Sequence, residues 1–183
     1  LDNVGSYRPD YLDTFGRYDG TKLDLWEGGV RMPTIVRWPS VIKVGSQSAL
    51  ASQFHDWMAT FCDLSGVPVP AVSDGISIVP TLTGKGEQAQ GIVYTELLVR
   101  GRTQNYQEFE ASRRGRPHGQ MQSVLIGDYK GARVDIKGHQ SAFEVYHTLN
   151  DPKETTDLVG KLGVPTQRQF QAAVLRTRRI DKA

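Results

Sequence analysis

The sequence pattern predicts an α+β chain that ends in a small antiparallel sheet covered by a helix. Three observations carry this reading. Residues 54–62 place apolar side chains at helical spacing. Residues 92–149 contain β-rich runs broken by turn dipeptides. Residues 166–177 open on a capping pair and continue with a helical stripe.

The elements follow in chain order. Thr34, Ile35, Val36 and Trp38 are β-formers fenced by Pro33 and Pro39, so they read as a short strand buried on at least one face. Gly28 and Gly29 ahead of it imply a tight turn, through positive φ or close backbone approach. Phe54, Trp57, Met58, Phe61 and Cys62 recur at i, i+3, i+4, i+7 and i+8, which predicts an amphipathic helix capped by Ser52 and ended by Gly66. Cys62 is then a packing thiol on the apolar face, and His55 is a surface residue beside Asp56.

Pro68, Pro70 and Asp74-Gly75 mark a loop, and Gly84-Lys85-Gly86-Glu87-Gln88 has linker composition. A boundary placed there gives domains of residues 1–86 and 87–183. Beyond it, Ile92 to Leu98 is a strand, Ser123–Ile126 and Tyr129–Val134 flank a Gly127-Asp128 type II′ hairpin turn, and Phe143 to Leu149 is a further strand. These runs predict an antiparallel meander. Thr166 and Gln169 have capping-box spacing ahead of Phe170, Ala173, Val174 and Thr177, so a terminal helix should pack on the sheet.

Composition narrows the class of protein. A hydrophobic content of 38% and a charged content of 23% describe a globular chain. The net charge of +2 gives no reason to expect a nucleic-acid partner. One cysteine excludes an internal disulfide framework. No apolar run approaches the ~20 residues of a membrane span, and no stretch reads as a signal peptide.

The most specific stretch is KLDLWEGGVRMPTIVRW, Lys22 to Trp38. Taken alone, a lysine before a loop reads as a solvated surface charge. Lys22 followed by Glu27-Gly28-Gly29-Val30-Arg31, Pro33 and Arg37-Trp38-Pro39 nevertheless resembles the sulfatase signature, of the arylsulfatase and N-acetylgalactosamine-6-sulfatase type. Asp56, Leu64-Ser65-Gly66, the run Asp74 to Gly84, Glu144-Val145-Tyr146 and Asn150 to Thr155 extend that resemblance over nearly the whole chain. It implies that residues up to about Gly84 are the last part of an alkaline-phosphatase-like α/β domain. The family's Cys/Ser-x-Pro/Ala-x-Arg motif, source of the formylglycine nucleophile, is not found, and Cys62-Asp63-Leu64-Ser65-Gly66 does not fit it. The chain is therefore expected to be a C-terminal portion that is inactive without the N-terminal half.

The resemblance also implies a chemistry. A divalent cation, calcium in this family, grips the sulfate ester through oxygen ligands, and Asp2 and Asn3 stand where two of those ligands are expected. Lys22 is the expected catalytic residue, a fixed ammonium that stabilises charge on the sulfate oxygens and the leaving oxygen. Arg31 is expected in a structural ion pair. Arg100, Arg102, Arg113, Arg114 and Arg116 precede His118 and allow two readings, a solvated loop or a subsite for an anionic sugar in which Arg116 and His118 bind substrate. Expected substrates are sulfated carbohydrates or aryl sulfates, in an extracytoplasmic compartment. Hydrolysis of phosphate or phosphonate esters on the same fold, and a non-catalytic module binding anionic glycans, are the alternatives.

Overall fold

The computed structural model describes residues 16–178. They form two compact units, one of residues 16–33 with 94–178 and one of Thr34–Val93. Compactness therefore groups the Lys22 segment with the sheet that follows it much later in sequence.

In the larger unit, β1 (Tyr94–Arg102), β2 (Pro117–Ile126), β3 (Tyr129–Arg133) and β4 (Glu144–His147) form one antiparallel sheet in the order β1-β2-β3-β4. This is the expected meander, built from hairpins between neighbouring strands. Gly127 has φ of +59°, which the first central position of a type II′ turn requires, and Ile126 pairs with Tyr129 across it. Side chains alternate between the two faces. Val124, Phe143 and Val145 face one way and meet Phe170, Ala173 and Val174 of the C-terminal helix, Gln167–Thr177. Ala132 and Tyr146 face the other way and meet Trp26.

That helix begins where its capping pair predicts. The Thr166 N–H donates to Gln169 Oε1 at 2.8 Å, and Gln169 N–H donates back to Thr166 Oγ1 at 3.4 Å. Its seat on the sheet requires Gly131, where a Cβ would stand 2.5 Å from the Phe170 ring. Gly131→Ala is expected to cost about 1–3 kcal/mol through overpacking. A thermal unfolding curve checks this, and a wild-type midpoint would show that the helix is not pressed onto the strand.

The unit Thr34–Val93 departs from expectation in three ways. Residues 34–38 form no strand and pair with none among the described residues, and Ile35 is 85% exposed, so the strand expected there is corrected to an unpaired segment. The helix over 54–65 exists and ends on Gly66 at φ of +70°, but its N-cap is Gln53, in a capping box with Asp56, and not Ser52. Its apolar stripe also faces outward: Phe54 is 77% and Phe61 61% exposed, and Cys62 is only half-buried.

The buried face of that helix is Asp56, Ala59 and Thr60. Asp56 Oδ1 accepts from Ile76 N–H at 2.9 Å, and Thr60 Oγ1 accepts from Ile78 N–H at 3.1 Å, so polar side chains pin the following loop. Gly75 is obligatory there, since a Cβ would lie 2.2 Å from the His55 carbonyl oxygen. His55 is a surface residue with Nε2 3.9 Å from Asp56 Oδ1. A five-residue helix, Val79–Thr83, follows that loop.

Candidate active site

The residues around Lys22 fold into a turn because of their own hydrogen bonds. Asp24 N–H donates to the Thr21 carbonyl at 2.9 Å, closing a four-residue turn with Lys22 and Leu23 in its central positions. Leu23 has φ of +80°, a value that type II turns usually assign to glycine at this position. Lys22 is exposed at the turn's corner. The turn is followed by one helical turn, Glu27–Val30, and Gly28 and Gly29 are needed there for close approach and not for positive φ. A Cβ on either would stand 2.4 Å from a backbone oxygen, of Gly20 or of Asp24.

A cleft of about 290 Å³ opens beside this turn, lined by Lys22, Asp24, Arg100, Arg102, Gln104 and His118 among others. Strand β1 shapes its other wall. From Leu98 to Gly101, β1 advances three residues while its partners on β2 run from Gln120 to His118, so β1 carries a bulge at Val99-Arg100. The bulge turns the Val99 carbonyl toward His118, whose Nδ1 lies 2.8 Å away. A carbonyl only accepts, so Nδ1 carries the hydrogen and Nε2 is left to face Asp24 Oδ1 at 4.0 Å. Gly101 makes room for the ring, since a Cβ there would be 3.1 Å from His118 Cε1.

Beneath the turn lies a buried charge network. Lys130 Nζ is 3.0 Å from Glu27 Oε1 and 3.0 Å from Glu154 Oε1. Glu154 Oε2 accepts from Glu27 N–H at 2.8 Å, so the Asn150 to Thr155 segment holds the start of the Glu-Gly-Gly turn. Burial pushes Lys130 down, but Glu154 and Glu27 outweigh it and hold the ammonium above its ordinary range. Burial pushes Glu27 up, but Lys130 and Arg31 hold its carboxyl below the ordinary range. For Glu154, burial prevails and raises the carboxyl. Arg31 pairs with Glu27 at 3.0 Å, the structural ion pair expected of it.

The arginine stretch divides. Arg113 is 2% exposed, its guanidinium 4.0 Å from the centre of the Trp26 ring and 3.3 Å from Asp19 Oδ2. It therefore belongs neither to a solvated loop nor to a subsite. Arg114 donates to the Phe109 carbonyl at 2.7 Å. Arg116 makes a two-pronged pair with Glu144, which raises the arginine; burial pushes the Glu144 carboxyl up, but the bonds to Arg116 and Tyr146 lower it overall. Arg100 and Arg102 line the cleft.

The structure thus brings Lys22 and His118 to one cleft and places Arg116 against Glu144. Asp2 and Asn3 lie outside the described residues. Among the described residues no group of three or more His, Cys, Asp or Glu side chains is arranged to hold a metal ion. Asp24 and Glu27 are committed to internal contacts. Sequence reasoning missed Asp19, Asp24 and Lys130, read Arg113 as part of an exposed stretch, and gave Glu154 no role. Only Glu154 carried a signal, through its place in a recognised segment.

Comparison with known proteins shows the family of the chain. Residues 14–179 match the family described as N-sulphoglucosamine sulphohydrolase, C-terminal. The chain belongs to that family, and its sheet and packed helix are the fold class expected for a sulfatase C-terminal portion. It is 28% identical over 151 residues to an N-acetylglucosamine-6-O-sulfatase of Bacteroides thetaiotaomicron, covering 82% of this chain and 25% of that protein. It is 38% identical over 76 residues to human steryl-sulfatase, covering 40% of this chain and 13% of that one. A solved structure in complex with its substrate D-glucosamine-2-N,6-O-disulfate superposes with a TM-score of 0.51 at 28% identity, covering 72% of this chain and 24% of that chain. The chain thus spans a quarter or less of the length of these relatives.

Proposed function

We propose that this chain is the C-terminal part of a sulfatase that hydrolyses sulfate esters of carbohydrates. The observation that carries the reading is the cleft itself. A strained turn presents Lys22 on one side of it, and on the other the bulged strand β1 presents Arg100 and Arg102 and its neighbour β2 presents His118.

A sulfate monoester spreads negative charge over its peripheral oxygens, and charge develops on the leaving oxygen as the S–O bond breaks. A fixed ammonium at Lys22 stabilises that distribution more in the transition state than in the ground state. His118 and Arg116 are assigned to the sugar side, His118 in the cleft and Arg116, paired with Glu144, at the entry to the strand that carries His118. The bound cation, calcium in this proposal, would supply Lewis-acid polarisation of the sulfate, with Asp2 and Asn3 among its ligands.

The nucleophile, a formylglycine, belongs to an N-terminal half that completes the α/β domain of which residues 1–86 are the end, with 87–183 as the bordering subdomain. The outward-facing Ile35, Phe54, Met58 and Phe61 form apolar surface of the kind such a half would cover. Membership of this family supports an extracytoplasmic compartment, and no helix among the described residues is long and apolar enough to cross a membrane.

The chain alone and the complete enzyme, assayed side by side with an aryl sulfate and calcium, test the proposal. Turnover is expected only from the complete enzyme. Activity that tracks the 183-residue chain through repurification would contradict it, as would a complete enzyme that acts on phosphate or phosphonate esters alone.

A further inference from the structure

We infer that Asp24 is a positioning residue, holding the turn that carries Lys22 to the base of the loop after β1 and so setting where Lys22 stands in the cleft. The inference rests on the proposed role of Lys22. Asp24 is 4% exposed, and both its carboxylate oxygens are engaged. Oδ2 accepts from Thr21 N–H at 3.0 Å, locking the turn from within. Oδ1 accepts from Thr103 Oγ1 at 2.7 Å, a contact across 79 residues of sequence.

The conformation needs such a tie. Leu23 sits at φ of +80°, and a leucine stays in that region only where its surroundings over-determine it. Thr103 is itself fixed: its N–H donates to the Arg116 carbonyl at 3.0 Å and its carbonyl accepts from Gly115 N–H at 3.1 Å. One carboxylate therefore connects the Lys22 turn to the chain that leads into β2 and His118. The ring of His118 is oriented separately by Val99, with Nε2 4.0 Å from Asp24 Oδ1.

Hydrogen-bond chemistry supplies a selective test. In Asp24→Asn the amide oxygen can accept from Thr21 N–H while the amide nitrogen donates to Thr103 Oγ1, since a hydroxyl accepts as well as donates. Both ties survive. Asp24→Ala removes both, and Thr103→Val removes one.

The experiment measures kcat and KM on an aryl sulfate, with thermal unfolding curves, for the complete enzyme carrying D24A, D24N, T103V, K22A and K22A/D24A. Because misplacement of a catalytic group by about 1 Å can cost on the order of 10²-fold, D24A is expected to lose roughly 10–100-fold in kcat with KM within about threefold. T103V is expected to lose about 3–10-fold and D24N less than about threefold. K22A/D24A should be no slower than K22A, because Asp24 acts through Lys22.

Wild-type kcat in D24A overturns the proposal. So does a D24A loss repeated in full on the K22A background, which would mark a general structural role. If D24A does not fold, T103V decides, and wild-type kcat there overturns the proposal. A K22A enzyme as active as wild type instead removes the reading of Lys22 on which the proposal stands.

Discussion

Replacing Lys22 by alanine in the complete enzyme is expected to lower kcat by on the order of 10²–10³, or about 3–4 kcal/mol, the scale seen when one preorganised donor is removed from a transition-state site. Lysine is suited to this place as a compact point charge with three rotatable donors. Its side chain is exposed at a turn corner, so the substitution removes little packing and the unfolding midpoint should stay near wild type. Steady-state kinetics on an aryl sulfate, paired with a melting curve, make the check. An unchanged kcat/KM would return Lys22 to the solvated surface charge that its local sequence suggests.

The largest expected effect on stability lies beneath that turn. Lys130→Met removes the ammonium shared by Glu27 and Glu154 and leaves two buried carboxylates facing each other. Breaking a buried ionic cluster by removing one partner costs about 3–5 kcal/mol, against a desolvation penalty that the intact cluster offsets. Urea unfolding of the complete enzyme should show the loss as a lower midpoint. Adding Glu27→Gln and Glu154→Gln on top of Lys130→Met should restore much of it, because neutral amides need no counterion and the new amide oxygen at position 154 can still accept from the backbone N–H of position 27. A loss under about 1 kcal/mol in the single variant would mean that water reaches the cluster and screens it.

The sheet and its covering helix were legible because their signals are local. A Gly-Asp turn between two β-rich runs and a Thr166/Gln169 capping pair each specify geometry within four residues, and the structure contains both. The helix over 54–65 was legible in position but not in orientation. Its apolar stripe faces outward, while Asp56 and Thr60 are buried because they satisfy backbone N–H groups of the loop at Ile76 and Ile78. A hydrophobic stripe reports which face seeks cover, and the cover need not lie in the same stretch of chain. The β-formers at 34–38 failed for the same reason: a strand requires a partner, and none pairs with them among the described residues.

At the site, Lys22 was legible only through the family resemblance, since nothing in its local sequence separates it from a surface lysine. The long-range contacts around it were not legible. Asp24 reaches Thr103 across 79 residues, Asp19 reaches Arg113 across 94, and Glu154 reaches Glu27 across 127. No periodicity encodes contacts at such separations. Arg113 also misled by its company: among neighbouring arginines it reads as part of an exposed basic patch, yet its planar guanidinium stacks on Trp26 inside the fold.

The central claim is that this cleft serves sulfate esters. Its most direct test is the ratio of kcat/KM for a matched pair, an aryl sulfate and the corresponding aryl phosphate, measured on the complete calcium-loaded enzyme with the Lys22→Ala variant alongside. The account predicts a wild-type preference for the sulfate, lost together with activity when Lys22 is removed. A preference for the phosphate, or a sulfate rate that Lys22→Ala leaves unchanged, would contradict it.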